Sequence, residues 1–224
     1  MYFKTLSSLS LLIAAATATC DKSTLNTTVG NYIVSEGETI AEVSNAVDRG
    51  ICDIARLNRM ADAKLPLIRG EELLIPPETC TIDNSTCLIV PSKSGNYADC
   101  VKGGPHTYYT LKGDTIRYIA LKLNIAVEAL SATAQGGVSD PDAEVQVDNF
   151  MKVPQCSPSR CTVEPVQFTY GTYKDIAEKR GVTVGQIMGF NPTYNHSDDS
   201  IAGSAVITIP TFCEEVGNNI SVIS

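Results

Sequence analysis

Three observations predict an α+β chain of three small β-α-α-β units, each a two-stranded antiparallel sheet packed against two helices. One strand, tight turn and amphipathic helix recurs three times at a spacing of about 45 residues, as a repeat architecture requires. Each copy ends in a short apolar strand, and cysteines stand around every copy.

The second copy is the sharpest. Tyr108 to Leu111 read as a strand, Gly113 permits a turn with positive φ, and Asp114 or Thr115 can cap a helix. Ile116, Ile119, Ala120 and Leu123 then follow at helical spacing. A second helix turns Val127 and Leu130 inward, and a closing strand runs from Phe150 to Val153 before Pro154. This unit spans 108–154.

The first unit spans 32–76. Strand Tyr32 to Ser35 leads through Gly37-Glu38-Thr39 into a helix with Ile40, Val43 and Val47 inward. A second helix carries Ile51, Ile54 and Leu57 and ends near Asn58, and Leu73-Leu74-Ile75 closes the unit before Pro76. The third, 166–210, begins weakly, with Tyr170-Gly171-Thr172 in the register of Gly-Asp-Thr. Its second half is a clear copy: Val184, Ile187, Phe190 and Asn191 repeat Ile51, Ile54, Leu57 and Asn58, before Val206 to Pro210. The intervening 77–107 and 155–165 read as a long and a short linker, which tethers unit one loosely and holds units two and three together. A tail runs over 211–224.

Residues 1–18 read as a signal peptide: Lys4, an apolar run from Leu6 to Ala16, and Ala16-Thr17-Ala18 just before Cys20. The run is well short of the ~20 residues of a spanning helix, and no later stretch approaches that length. The whole chain carries a formal charge of -8; removing Lys4 from the 17 basic residues, against 25 acidic, leaves -9. That balance argues against nucleic acid or an anionic membrane as partner. Sequons at Asn26, Asn84, Asn195 and Asn219 point to a glycoprotein of the secretory pathway.

The eight cysteines, Cys20, Cys52, Cys80, Cys87, Cys100, Cys156, Cys161 and Cys213, imply four disulfides in an oxidising compartment. None forms a C-x-x-C pair, and only His106 and His196 are available to join them, so no metal site is expected. Cores this small supply only about 3–5 kcal/mol, so staples are needed. Antiparallel pairing of first and last strands places Cys20 by Cys80, Cys100 by Cys156 and Cys161 by Cys213. Cys52 then pairs with Cys87 by elimination, although spacing alone leaves 105 connectivities.

Strand, Gly-Asp-Thr, Ile-x-x-Ile-Ala, a second helix ending in Asn and a closing Ile-Pro together resemble the LysM domain. Three such units after a signal peptide, bracketed by cysteines, resemble secreted fungal LysM effectors across essentially the whole mature chain. Unit two departs from unit one at Ala134, in place of Asn58, and at Asp148, in place of Gly70.

The resemblance implies binding of chitin oligosaccharides, without catalysis or cofactor, in a shallow groove between the loop after the first strand and the loop before the last. In unit one that groove is Gly37, Glu38, Thr39 and Ile40 with Asp62, Leu65, Pro66, Leu67 and Ile68. In unit two it is Gly113, Asp114, Thr115 and Ile116 with Ser139, Asp140, Pro141, Asp142 and Ala143. In unit three it is Gly171, Thr172 and Tyr173 with Tyr194, Asn195, His196, Ser197 and Asp198. An N-acetyl group needs one donor, one acceptor and a small apolar recess, which loop backbone beside Pro or Ile supplies. Each residue also has a folding role on offer: turn geometry for Gly37 and Gly113, capping for Asp114, first-turn charge for Glu38, packing for Tyr32, Tyr108 and Tyr173.

The expected mechanism is a clamp, two units closing on one ligand with unit one as the mobile partner and unit three as its mate; ligand-induced dimerisation stays open. Sequestering chitin fragments, or shielding hyphae from host receptors and chitinases, is the expected role, and a structural chitin-binding protein of the cell wall is the alternative. The repeats and linkers occupy the chain and no carboxylate pair stands out, so no enzyme is expected.

Overall fold

The computed structural model describes residues 21–92, 94–133, 140–194, 205–217 and 220–223. The expected signal peptide, Cys20 and with it the 20–80 disulfide, Ser139, residues 195–198 and Asn219 lie outside them.

The α+β architecture is as expected. In the first unit β1 (Gly30–Ile33) leads to α1 (Ile40–Val47), α2 (Ile51–Leu57) and β2 (Glu72–Ile75), with β1 and β2 antiparallel from Gly30 opposite Ile75 to Ile33 opposite Glu72. A two-residue strand, β3 (Val101–Lys102), precedes the second unit, which comprises β4 (Thr107–Tyr109), α3 (Ile116–Leu123), α4 (Val127–Thr133) and β5 (Phe150–Lys152), with β4 and β5 antiparallel. After β6 (Gln155–Ser157) the third segment repeats the order: β7 (Ser159–Phe168), α5 (Tyr173–Arg180), α6 (Val184–Phe190) and an antiparallel β8 (Ala205–Glu215).

The motif asparagines explain themselves in this frame. Asn58 donates to the Ile54 and Leu74 carbonyls and accepts from Leu74 N–H, tying the end of α2 to β2. Asn191 does the same between α6 and β8, through Ile187 and Thr208. A side-chain amide that meets one carbonyl at the helix end and both backbone groups of one strand residue fixes where the closing strand lies.

Three disulfides match the expected pairs: Cys52–Cys87, Cys100–Cys156 and Cys161–Cys213, with Cα separations of 5.4, 5.1 and 4.1 Å. The surroundings of two of them differ from expectation. Cys156 lies in β6, which pairs parallel with β3 and antiparallel with β9 (Ser221–Ile223), so part of the expected tail closes a three-stranded sheet between units two and three. The β7–β8 ladder runs from Ser159, inside the expected linker, and continues past Pro210 to Glu215. In a two-stranded sheet each strand has a free edge, so a proline there costs no ladder bond.

The 77–107 segment is not a loose tether. Asp83 O accepts Cys52 N–H at 2.8 Å and Asn84 Oδ1 accepts Ile51 N–H at 2.9 Å, which satisfies the first turn of α2 where Gly50 has no side chain to cap it. Ile89 enters the core that units two and three share. In that core Gly185 leaves no room for a Cβ, which would stand 2.5 Å from the Leu123 side chain, so α6 packs directly on α3. Unit one keeps a separate core around Val43, Ile54 and Leu73.

Unit one is nonetheless docked on the third segment, through Arg56. Its guanidinium spans Asp83, at 2.7 Å, and Asp175, at 3.0 Å, while its carbonyl accepts Gly171 N–H at 2.9 Å. Burial pushes the Asp83 and Asp175 carboxyls up, but hydrogen bonds from Thr86 and Arg56 on the first, and from Arg56 and Thr172 on the second, more than offset it and hold both below the ordinary carboxylate value. Depressed folded-state values mean the stabilisation is fully present above pH ~4 and is lost as pH falls below it. Acid unfolding followed by circular dichroism should therefore steepen below that pH, and Asp175→Asn should make this limb shallower.

Candidate functional site

The three turns superimpose in role at one threonine each. Thr39, Thr115 and Thr172 are the N-caps of α1, α3 and α5, accepting from Glu42, Tyr118 and Asp175 N–H. Ser, Thr, Asp and Asn suit this place because a short side-chain oxygen reaches a free amide of the first turn. The acidic residue before the cap stitches the turn instead of capping it. Glu38 accepts from Ser35 N–H at 2.8 Å and from the Tyr32 hydroxyl at 2.6 Å, and Asp114 accepts from Leu111 N–H at 2.9 Å.

The stretches opposite the turns correspond just as closely in units one and two. Lys64 N–H bonds Asp62 Oδ1 as Asp142 N–H bonds Asp140, and Gly70 N–H bonds Val34 O as Asp148 N–H bonds Thr110 O. Asp148 takes a positive φ of 58°, the conformation that Gly70 supplies in unit one. Pro66 and Glu144 therefore hold equivalent positions, and what stands there decides whether the groove is open.

In unit two the two sides pair with each other. Glu144 forms an antiparallel bridge with Thr115, its carboxylate accepts Gly113 N–H at 2.8 Å, and Val145 N–H donates to Asp114 O at 2.9 Å. Pro141 O accepts from Arg117 N–H, and the Arg117 guanidinium holds Asp142 at 2.6 Å. The backbone groups that would meet a sugar amide are used, with Asp140 and Ala143 in the loop so held.

In unit one the corresponding space is open. Pro66 carries no carboxylate to accept Gly37 N–H, the bond that Glu144 makes to Gly113 in unit two. The space is lined by Thr39, Ile40 and Ala41 from the turn, by Ala63, Lys64, Leu65 and Pro66 from the loop before β2, and by Ile51 and Leu88. The depression measures about 540 Å³ and its surface is almost wholly apolar. A trough that shares Leu65 and Pro66 with it is lined by Glu36, Gly37 and Leu67 to Arg69 of unit one, Leu111 and Lys112 of unit two, and Tyr194 of the third segment. Ile68 is exposed there.

In the third segment the turn is not free. Gly171, Thr172 and Tyr173 are buried, Gly171 against Arg56 of unit one. Tyr173 stacks with Phe168 and Tyr194, and the Tyr194 hydroxyl donates to Arg59 O at 2.8 Å. Asn195, His196, Ser197 and Asp198, the far side of this expected groove, lie outside the described residues.

Asp62 and Asp114 belong to a different site, and the residue that joins them carried no flag in the sequence. Lys122 of α3 is fully buried, 2.8 Å from Asp114, 3.5 Å from Asp62 and 3.1 Å from the Tyr108 hydroxyl. Tyr118 donates to Asp62 at 2.6 Å and presents its ring to the ammonium, 4.6 Å from the centroid. Burial pulls the Lys122 pKa down, but Tyr108, Asp114 and Asp62 more than offset it and hold the group above its ordinary value. Lys122 follows Ile119 at i+3, on the apolar stripe where a solvated lysine does not belong, and that was the available signal. Ala41, Ile51, Ala63, Lys64 and Leu88 of the open groove were also missed, Leu88 because it comes from the expected linker.

Among the described residues no helix is long and apolar enough to cross a membrane, and no His, Cys, Asp and Glu group is arranged to hold a metal. The LysM domain profile matches residues 32–76 and 108–154. The secreted LysM effector LysM13 of Penicillium expansum is 49% identical over 205 residues, covering 91% of this chain and 87% of the relative. The secreted LysM effector ECP6 of Passalora fulva is 31% identical over 193 residues, covering 83% and 79%.

Replacing Lys122 by Met leaves two carboxylates buried without a cation, which costs about 3–5 kcal/mol. Urea denaturation should show that loss, while the additional changes Asp62→Asn and Asp114→Asn in the same chain should recover part of it.

Proposed function

The chain belongs to the LysM effector family, and from that premise we propose that it is a secreted, non-catalytic binder of chitin oligosaccharides whose principal contact surface is the open groove of unit one. The observation that carries this reading is the contrast at Pro66 and Glu144: of two otherwise matching grooves, the second is closed by the Glu144 carboxylate on Gly113 N–H, whereas the first, with Pro66 at that place, keeps an apolar recess. An N-acetyl methyl fits that recess, and the Gly37 and Leu67 N–H groups with the Leu65 and Pro66 carbonyls, which have no hydrogen-bond partner among the described residues, supply the donor and acceptor that the amide needs.

The third segment is a third LysM unit in this reading. It keeps the capping threonine, the Asn191 tie and the β-α-α-β order, although its turn has become Tyr170-Gly171-Thr172. Units one and three then act on one ligand along the trough that ends at Tyr194. Arg56 and Tyr194 hold them in place beforehand, so binding does not have to order a tether, and this favours affinity over a clamp that must close. A single shallow groove is expected at about micromolar Kd, roughly -8 kcal/mol, with shared contacts tightening it. Sequestering chitin fragments outside the cell, or covering hyphal chitin from host receptors and chitinases, follows from such binding.

Titration calorimetry with chitohexaose tests the proposal; no heat at high protein concentration would sink it. Pro66→Glu imports the unit two arrangement and offers a carboxylate to Gly37 N–H. That change should weaken chitohexaose binding by about tenfold or more, about 1.4 kcal/mol, while leaving the melting temperature near that of the parent.

A further inference from the structure

One sequon has a place in this geometry that its sequence does not reveal. Asn84 is exposed, and its Oδ1 accepts Ile51 N–H at 2.9 Å. Because the two ends of the amide oppose each other, turning Oδ1 onto α2 directs Nδ2, the atom that glycosylation modifies, away from the helix. Among the described residues Nδ2 has no hydrogen-bond acceptor. Ile51, whose backbone meets Asn84, and Leu88, four residues further on, are two of the side chains that line the unit one groove, the first from α2.

We propose that Asn84 carries an N-linked glycan which blocks the α2 end of the unit one groove, so that a bound oligosaccharide extends only toward Gly37, Ile68 and the inter-unit trough. Bulk is one part of the effect, since a glycan is a large solvated group on a short stem. Chemistry is the other part. The first two sugars of an N-linked glycan are β-1,4-linked N-acetylglucosamine, whose acetamide groups suit the same apolar wall of Ile51 and Leu88. Glycan and ligand therefore compete at that end and nowhere else. This inference rests on the chitin-binding reading and specifies the direction in which the site is usable.

The test uses the full secreted chain from a eukaryotic host, with Asn26→Gln, Asn195→Gln and Asn219→Gln leaving Asn84 as the remaining sequon. Glycopeptide mass spectrometry must find Asn84 modified; an unmodified Asn84 overturns the proposal. Treating the folded protein with a peptide-N-glycosidase removes the glycan and leaves an aspartate, which still caps α2. Asn84→Asp in the same background serves as a second, never-glycosylated form, and melting temperatures establish that all forms are folded. Without the glycan, the Kd for chitohexaose should fall about fivefold, about 1 kcal/mol, and that for chitotriose should change by less than about twofold. Equal chitohexaose affinity in all forms overturns the inference and leaves chitin binding standing. Failure of every form to bind either oligosaccharide removes the chitin reading and this inference with it.

Discussion

A single buried ammonium sets the relation between the first two units. Lys122 lies on α3 of unit two with no access to water, and taking such a charge out of solvent is costly unless its partners are close and themselves bonded. Asp114 comes from the turn of its own unit, but Asp62 comes from the loop that precedes β2 in unit one. The cation is satisfied only when that loop is seated against α3, with Tyr118 bonded to the same carboxylate. Since Asp62 is followed at once by Ala63, Lys64, Leu65 and Pro66, the demand of one charge also positions part of the lining of the open groove. The positions taken from the family pattern as sugar contacts thus divide in two: Asp62 and Asp114 serve the joint, whereas Leu65 to Ile68 keep the surface.

The contrast between the grooves of units one and two comes from equally local chemistry. A proline side chain has no acceptor, whereas a glutamate at the same place accepts from the glycine amide of the turn across the groove. Unit two, whose turn is nearest to the family pattern, is the one that has folded its loop onto itself. A well-preserved Gly-Asp-Thr turn records that a strand must turn into a capped helix within three residues. Whether the surface beside it is free depends on the loop thirty residues later.

Much of the fold was legible because its signals are short-range. Helical spacing located α1 to α4 and α6, Gly37 and Gly113 do have positive φ, and Asn58 and Asn191 mark matching helix ends. Two of the three described disulfides, Cys100–Cys156 and Cys161–Cys213, followed from asking which strand ends lie side by side, and Cys52–Cys87 by elimination. What escaped is what two distant stretches decide together. Nothing local in Asp83 or Asn84 says that they cap α2, since the sign of that need is only the bare glycine at position 50. The parallel pairing of β3 with β6 and the late strand β9 are too short to leave a period in the sequence. Lys122 was legible as an anomaly on an apolar stripe, but its partner Asp62 is sixty residues away and was claimed by the family pattern. Part of the third groove, from Asn195 to Asp198, lies outside the described residues.

The division of the apolar interior has a further meaning for how the molecule opens. One core joins unit two to the third segment, with Gly185 letting α6 sit directly on α3, and takes in Ala61 and Leu65 of unit one; a second core holds most of unit one together with Cys87 and Leu88. Beside Ala61 and Leu65, charges and hydrogen bonds stand between them: Lys122 with its aspartates, and Arg56 with Asp83 and Asp175. Contiguous packing makes a cooperative block, and polar seams are where blocks part. The chain thus holds two packed blocks joined across a largely polar seam, and the trough lies on that seam, with Gly37 and Ile68 contributed by one block and Leu111 and Tyr194 by the other. A molecule lying in that trough would touch both blocks at once, and so would couple their opening into a single event.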